Sequence, residues 1–185
     1  MTDNIFFDLR DLKSVGRNVI IGKTVRIRHP ELVTIGDNCI IDDFTYISTA
    51  LHLEAFVHIS SGAKIIGGVN AVVTMESYST LAPNVTLAAG SDDYIGGIAT
   101  PLVPKELKGN YEIGNITIGR HSICGAGAVV LPNVRFGTGA CIGALSLAKT
   151  DLEEWWLYAG IPARKIKKRD KDTILKLEER HRGKQ

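Results

Sequence analysis

The sequence predicts an all-β protein built as a parallel solenoid, and two tracks of side chains predict it. In the first track, apolar residues recur at every sixth position through most of the chain. In the second, a small or β-branched residue follows four positions after many of them. Neither a helical period of about 3.6 residues nor a two-residue alternation marks one position in six. A chain that turns a corner every six residues explains both tracks.

The first track defines the positions that should face inward. It breaks at Gly67-Gly68, restarts at Met75 and is interrupted again before Ile118, while Ile21 and Ile27 fit an earlier coil offset by an insertion at residues 29–32. Three such segments would make one triangular coil, and successive coils would stack at about 4.8 Å through backbone hydrogen bonds. The track comprises Ile35, Ile41, Ile47, Leu53, Ile59, Ile65, Met75, Leu81, Leu87, Ile118, Cys124, Val130, Phe136 and Ile142.

The second track should fill the narrow space where adjacent faces of the solenoid converge. Small and β-branched side chains fit such a space, and the regular offset from the first track predicts that they also point inward. Its members are Thr45, Val57, Ala63, Ser79, Val85, Ser122, Ala128, Val134 and Ala140.

Two segments depart from the repeat. Residues 88–115 are rich in glycine, proline and charge, and a long loop in a regular fold is usually functional. Beyond Asp151 the pattern ends, and Ile174, Leu175 and Leu177 have helical spacing in a predicted amphipathic helix over residues 170–181. We expect this helix to cap the open end of the solenoid. The predicted organisation is a solenoid domain over residues 1–168 and a helical tail over 169–185.

Composition limits the classes of function. A formal net charge of +2 argues against nucleic acid as a partner, and the basic run at residues 164–172 either meets phosphates or forms a solvated tail. No apolar run is long enough to span a membrane, and the acidic N-terminus is unlike a signal peptide. Cys39 and Cys124 fall on inward positions and Cys141 beside one, with no CxxC pair. We therefore expect a cytoplasmic protein.

The last third of the chain resembles the hexapeptide-repeat acyltransferases. The resemblance is strongest for ITIGRHSICGAGAVVLPNVRFGTGACIGALSLAKTD at residues 116–151 and YAGIPARKIKK at 158–168, and TLAPNVTL at 80–87 also fits the layout. These stretches are similar to galactoside and maltose acetyltransferases and to sugar acetyltransferases of surface-polysaccharide pathways. The resemblance covers roughly residues 18–168.

The resemblance implies a left-handed coil, which is opposite to the usual hand of parallel crossovers. It also implies a homotrimer with acetyl-CoA bound in the groove between subunits. The residues it places at the coenzyme are Ala126 and Ala144 beside the pantetheine arm, Lys149 and Thr150 near the adenine, and Arg164 and Lys167 near the phosphates.

Acyl transfer to a sugar hydroxyl needs a base, and imidazole gains and loses its proton near neutral pH. The galactoside enzymes carry a histidine shortly after VTL, but this chain reads AAGSDD there, with Ser91 or Asp92 at the expected position. We instead favour His58, in AFVHISSGAK, at a corner of the coil. His52, one hexad earlier and on the adjacent face, is the second candidate.

The loop should bind the acceptor. Asp92 or Asp93 could orient the imidazole or bind the sugar, and Tyr94 could stack on it. The loop segments SDDY and TPLVPKE resemble the corresponding segments of polysaccharide-pathway enzymes. This resemblance favours a nucleotide-linked deoxy amino sugar or a related glycan precursor as the acceptor. The sequence does not separate a hydroxyl acceptor from an amine.

Two other functions remain open from the sequence. A γ-class carbonic anhydrase shares the coil but needs three histidines on zinc, whereas His52 and His58 have no third partner at the expected distance. We therefore expect no metal, and His29, His121 and His181 to be structural or exposed. A non-catalytic scaffold would not need the long polar loop or the basic ending. A rise in melting temperature with acetyl-CoA would argue against the scaffold.

Overall fold

The chain winds into a left-handed parallel β-helix of about seven turns. The computed structural model describes residues 4–183, so the predicted domain limits at residues 1 and 185 lie outside the described residues. Three parallel sheets form the three faces of the helix. Strands are numbered in chain order, and successive turns add one strand to each face.

The first face consists of β1 (Ser14–Val15), β4 (Val33–Ile35), β7 (Ala50–Leu53), β10 (Val72–Met75), β15 (Ile116–Ile118) and β18 (Arg135–Phe136). The second consists of β2 (Ile20–Ile21), β5 (Ile40–Ile41), β8 (His58–Ile59), β11 (Thr80–Leu81), β16 (Ile123–Cys124), β19 (Cys141–Ile142), β21 (Trp156–Gly160) and β22 (Ala163–Lys168). The third consists of β3 (Arg26–Ile27), β6 (Tyr46–Ile47), β9 (Lys64–Ile66), β12 (Thr86–Ala88), β17 (Val129–Val130) and β20 (Leu147–Ala148).

The core confirms both tracks. Every predicted inward residue of the two tracks is buried, as are Ile21 and Ile27. The inward residues lie in register from turn to turn, as when Ile41 pairs with Ile59 and Ile59 with Leu81. Hydrophobic burial along one continuous column therefore drives the chain to turn every six residues.

The three edges of the prism differ in what they carry. We call the turns from first to second face the first edge, those from second to third face the second edge, and those from third back to first face the third edge. The insertion containing a short 3-10 helix at Pro30–Leu32, the break at Gly67-Gly68 and the long loop all interrupt the third edge. The second edge carries no such insertion between β2 and β20.

The first edge is a ladder of rings. Phe56, Tyr78 and His121 each have a positive φ near 60°, and their rings stack with centroids 4.9 Å apart for the first pair and 5.3 Å for the second. Left-handed backbone is costly for bulky residues, and stacking along the helix axis offsets part of that cost. The corner is therefore held by side-chain contacts outside the core.

A short hairpin closes the base of the loop predicted over residues 88–115. Ala89 is buried, and β13 (Gly90–Ser91) pairs antiparallel with β14 (Glu112–Ile113), so a small hairpin closes the base. A further 3-10 helix at Lys105–Leu107 lies within the loop. The remainder lies between β12 and β15, at the third edge, a position that the sequence did not predict.

The predicted end of the repeat at Asp151 is too early. Leu152 still bridges to Phe136, and β21 continues the second face in parallel with β19. Strand β22 then returns antiparallel to β21, which makes a hairpin that the six-residue pattern does not reveal. A third 3-10 helix, Leu9–Asp11, lies at the N-terminal end.

The C-terminal helix α1 (Lys171–Arg182) forms where it was predicted, but it does not cap the end of the solenoid. Its N-cap, Asp170, accepts a hydrogen bond from the backbone N–H of Thr173 at 3.0 Å. The helix packs along the first edge, where His181 contacts the ring of Phe56 edge-on and lies 3.2 Å from the hydroxyl of Tyr78. The aromatic rings of the first edge, and not the end of the solenoid, therefore supply the surface on which the helix packs.

Glu178 fastens the helix to the coil. Its side chain is only 8% exposed and pairs with Arg120, with Nε2 of His121 at 2.6 Å and with Arg182 at 2.6 Å. One carboxylate thus contacts two adjacent residues in one turn of the first edge and an arginine of the helix itself. The tail of the chain is part of the folded unit.

Replacing Glu178 with glutamine should lower the free energy of unfolding by about 1–3 kcal/mol, because the amide leaves partly buried cations without their counter-charge. Limited proteolysis should then cut the chain within α1 faster than in the wild type. Glu179→Gln, an exposed neighbour, is the matched control and should change neither quantity. Equal proteolysis rates for both variants would show that Glu178 does not hold the helix.

Candidate active site

His58 has a carboxylate partner. Its Nε2 lies 2.9 Å from Oδ2 of Asp42, and both side chains are 44% exposed. Asp42 follows strand β5 at the second edge, one turn before His58 in strand β8. The carboxylate fixes the orientation of the ring and leaves Nδ1 free to accept a proton, as in other carboxylate–histidine pairs.

The predicted position of His58 at a corner is wrong. His58 lies within strand β8, where alternation sends Ile59 inward and the imidazole outward from the flat second face. Its neighbours along that face are Ile40 and Thr80, and Thr80 donates a hydrogen bond to the carbonyl of His58 at 3.2 Å. The ring therefore faces whatever covers the second face.

His52 lies on a different face, as predicted. It is exposed on strand β7 of the first face, with Nδ1 2.5 Å from the hydroxyl of Thr34. The side chains of His52 and His58 leave the prism in different directions, so one ligand cannot contact both within a single chain.

Ala126 and Ala144, the predicted pantetheine residues, stack on the second edge. The N–H of Leu145 donates to the carbonyl of Ala126 at 2.9 Å, and both alanines are exposed. A Cβ at Gly125 would lie 2.5 Å from the backbone nitrogen of Ala144, so the turns approach too closely for any side chain there. The result is a smooth strip on which a thin chain can lie against backbone.

The predicted phosphate residues come together on the terminal hairpin. Arg164 pairs with Ala159, and Lys167 pairs with Leu157, which itself pairs with the outward-facing Cys141. Cross-strand neighbours point to the same side, so both cations project from the outer side of the second face. Both are exposed.

Lys149 and Thr150 follow strand β20 and are also exposed. They lie where the third face ends. No described contact joins them to Arg164 or Lys167, so their predicted place near the adenine stays a prediction.

The predicted sugar residues occupy the start of the loop. Asp93 is committed to the loop itself, because its carboxylate accepts hydrogen bonds from the backbone N–H groups of Ile95, Gly96 and Asn110 at 2.8, 3.0 and 2.8 Å. These three bonds hold the pKa of Asp93 below its usual range, so it stays ionised. Asp92 and Tyr94 are exposed.

Sequence reasoning missed part of this region. A cavity of about 380 Å³ lies between the loop and the coil, and Lys105, Lys108 and Tyr111 line it together with Asp92. Lys108 is only 17% exposed, and its ammonium lies 3.5 Å from Oδ1 of Asp92. Lys105 lies within TPLVPKE, which was noted only as part of the resemblance, and no motif marks Lys108 or Tyr111.

The chain is 36% identical over 180 residues to dTDP-4-amino-4,6-dideoxy-D-glucose acyltransferase from Escherichia coli, and the match covers 95% of this chain and 92% of that protein. It belongs to the hexapeptide-repeat acyltransferases. No protein-family model matches the chain.

Solved hexapeptide-repeat acyltransferases share its fold over nearly the whole length. A variant of AntD, an N-acyltransferase from Bacillus cereus in complex with dTDP-4-amino-4,6-dideoxyglucose and coenzyme A, has a TM-score of 0.91 at 31% identity, covering 98% of this chain and 99% of that one. AntD in complex with dTDP and 3-hydroxybutyryl-CoA has a TM-score of 0.90 at 32% identity, covering 98% of each chain. The protein is an acyltransferase.

The cysteines of this hexapeptide-repeat acyltransferase are buried and unpaired. Burial raises the pKa of Cys39, Cys124 and Cys141, which keeps each thiol protonated and a poor nucleophile. Cys141, which had no predicted role, lies in strand β19 next to strand β21 and is 5% exposed. Acyl transfer through a cysteine thioester is therefore disfavoured.

Neither a metal centre nor a membrane span is evident in residues 4–183 of the hexapeptide-repeat acyltransferase. Within that range no three histidine, cysteine or acidic side chains are grouped so that they could hold a metal ion. No helix in the same range is long and apolar enough to cross a membrane.

Proposed function

We propose that this acyltransferase moves an acetyl group from acetyl-CoA to the amino group of a nucleotide-linked deoxy amino sugar, a precursor of surface polysaccharide. The Escherichia coli relative acts on a dTDP-linked 4-amino sugar, and AntD binds such a sugar together with coenzyme A. Both relatives match this chain over nearly its whole length, which supports the same class of acceptor.

One observation supports an active site that is shared between subunits. The predicted coenzyme residues Ala126 and Ala144 lie on the second edge, which also carries Asp42, two and three turns beyond the strand of His58. The predicted sugar residue Asp92 lies in the loop on the third edge. The second and third edges of one prism face in different directions, so they cannot both contact one ligand. The coenzyme residues and the sugar residue can form one site only if a neighbouring subunit supplies one of the two sets.

The second face has the surface that such an assembly needs. Its outward side chains include Ile20, 54% exposed, Ile40, and Ile123, 39% exposed, on either side of His58 and Thr80. An apolar strip of this kind on a flat sheet is typical of a protein–protein interface. We propose a homotrimer in which the second face packs against a neighbouring subunit.

The proposed roles follow from this placement. The acceptor nitrogen attacks the thioester carbonyl, the new C–N bond forms, the C–S bond breaks and coenzyme A leaves as the thiolate, which then takes up the proton held by His58 and becomes the thiol. Nδ1 of His58 accepts the proton that the nitrogen loses, while Asp42 orients the ring. Ala126 and Ala144 flank the pantetheine arm. Arg164 and Lys167 bind the coenzyme phosphates, and Lys149 and Thr150 the adenine.

Asp92, Asp93 and Tyr94 shape the acceptor side of the site, with Asp93 acting through the loop. We place the reaction in the cytoplasm, which the three unpaired cysteines support.

Subunit complementation tests the shared site. His58→Ala and Asp92→Asn chains, each nearly inactive alone, are co-expressed with different tags and purified as mixed trimers. Every mixed trimer then contains one intact site in three if each site takes His58 and Asp92 from different subunits, so activity should recover to about a third of wild type. Release of the coenzyme A thiol is the readout, with a dTDP-linked amino sugar as acceptor.

Two results would contradict the proposal. Mixed trimers as inactive as their parents would mean that both residues serve one subunit's own site or neither serves the reaction. A wild-type chain that is monomeric in solution and active would exclude a shared site altogether.

A further inference from the structure

An apolar groove of about 350 Å³ runs between helix α1 and the rings of the first edge. Leu177, 55% exposed, lies on the helix side of the groove. The polar groups in the groove already have partners, since His181 lies beside the hydroxyl of Tyr78 and His121 pairs with Glu178. An exposed apolar surface of this kind is typical of a contact with another protein chain. The groove is lined mainly by Phe56, Tyr78, His121, Ile174, Leu177 and His181.

The outward row of the second face carries no lysine, arginine or carboxylate from β2 to β19. By contrast, the outward row of the first face ends in Arg135, and that of the third face contains Arg26 and Lys64. The centres of protein–protein interfaces are depleted of charged residues, which favours the second face as a contact surface. Its row consists of Ile20, Ile40, His58, Thr80, Ile123 and Cys141.

A closed ring of three copies limits which surfaces can meet. Each copy contacts its two neighbours through two different patches, and these contacts point about 60° apart from the centre of the copy. Two faces of a triangular prism point about 120° apart, whereas a face and an edge that bounds it point about 60° apart. For prisms that stand parallel to the threefold axis, the second face of one copy therefore meets the first or the second edge of the next.

The position of the loop distinguishes these two edges. With the neighbour's first edge against the second face, the neighbour's third edge and its loop lie on the side of Ala126 and Ala144. With the neighbour's second edge there, that loop lies on the opposite side of the face, away from the two alanines. A site that joins the loop to the coenzyme residues therefore requires the first edge.

We propose that α1 and the groove beside it form the second half of the trimer interface and receive the second face of a neighbouring copy. The inference rests on the proposed function, which supplies the homotrimer and the shared site. One apolar surface then covers another, and the two surfaces differ, as a threefold ring requires. The helix of one subunit thus contributes to the active-site face of the next.

The same symmetry determines which turns meet. A closed ring has no rise along its axis, so each turn of one copy contacts the same turn of the next. His121 and Ile123 belong to one turn, and Glu178 contacts His121 at 2.6 Å. Leu177, adjacent to Glu178, therefore lies at the level of Ile123 on the neighbouring copy. The end of the helix, two turns away, lies over the neighbour's His58 and excludes solvent from its ring.

Cross-linking at chosen positions tests the contact. A Leu177→Cys chain and an Ile123→Cys chain are co-expressed with different tags, purified through both tags as mixed trimers, and treated with a short bismaleimide. A denaturing gel should then show a covalent dimer that carries both tags. The native cysteines are buried and should not react. Leu177→Cys combined with Thr34→Cys, on the first face, is the matched control and should give no such dimer.

Leu177→Glu tests whether the contact holds the trimer together. It places a carboxylate against an uncharged, apolar face, so most of the variant should be monomeric at a concentration where the wild type is fully trimeric. Light scattering after size-exclusion chromatography measures the mass. Leu177 is half exposed in the single chain, so the circular dichroism spectrum should not change. Lys64→Glu, on the third face, is the matched control and should stay trimeric.

Two results would overturn the inference. One is a wild-type trimer in which Leu177 fails to link to Ile123 or links equally to Thr34. The other is a Leu177→Glu chain that is as trimeric as the wild type. In either case the mixed trimers of His58→Ala and Asp92→Asn still test the proposed function, which stands if they recover activity. A wild-type chain that is monomeric and active removes the inference and the shared site together.

Discussion

Replacement of His58 by alanine is expected to lower the rate of acetyl transfer by about 100-fold or more at neutral pH, the usual contribution of a positioned base. His58 has a carboxylate partner on one ring nitrogen and an unblocked second nitrogen. Measurement of kcat and KM by thiol release, at several pH values, tests the expectation. The effect should fall mainly on kcat.

An amine acceptor makes the pH dependence informative. Free amine accumulates as the pH rises, so the His58→Ala variant should recover part of its rate at higher pH. Asp42→Asn should give a smaller loss, because the ring remains but loses its fixed orientation. A shifted pH profile in this variant would distinguish orientation of the ring from a merely structural role.

His52→Ala decides between the two candidate histidines. His52 lies on the first face and contacts Thr34, so we expect its loss to leave activity within a few-fold of wild type. If His52→Ala is inactive and His58→Ala is active, His52 is the base and the assignment to His58 is wrong. If both variants keep activity across the pH range, neither histidine is the base.

The sequence predicted the core because each inward residue repeats the same environment. The apolar residue at every sixth position is the one that points into the core. The burial of Ile41, Ile59 and Leu81 in one column follows from that repeat. The same pattern says less about side chains that point outward. His58 was therefore expected at a corner, although alternation within β8 places it on a flat face.

Other features depend on contacts that a repeat does not encode. The hairpin of β21 and β22 contains mostly basic and aromatic residues, so nothing in its spacing marks it as a continuation of the second face. The helix α1 was predicted correctly from its own period, but its docking on Phe56 and Tyr78 depends on a ring ladder whose residues are far apart in sequence.

The candidate site was predictable in part for a different reason. Motif resemblance suggested Ala126 and Ala144, and the structure places them together on one edge. The loop residues lie on another edge, and only an assembly can join the two. The resemblance of TPLVPKE gave Lys105 no role and no motif includes Lys108, and the fold of the loop is what brings the two lysines into one cavity.

Replacement of Phe136 by alanine is expected to lower the free energy of unfolding by about 3–5 kcal/mol, a large share of the 5–15 kcal/mol typical of a folded domain. Phe136 is fully buried in strand β18, where it pairs with Ile118 and bridges to Leu152. Denaturant unfolding at fixed protein concentration measures the loss. Phe136→Leu, which keeps most of the volume, is the matched control and should cost less than about 1.5 kcal/mol.

The location of that loss should be as specific as its size. In a solenoid each turn contacts only its neighbours, so a void at Phe136 weakens the last turns first. Those turns carry Ala144 and the hairpin with Arg164 and Lys167, whereas His58 lies several turns away. Under mild conditions Phe136→Ala should therefore raise the KM for acetyl-CoA before it lowers kcat, and hydrogen exchange should quicken in β21 before β8. If hydrogen exchange instead quickens equally in β8 and β21, all turns unfold as one unit. The last turns, which carry the proposed coenzyme residues, would then not unfold separately from the rest.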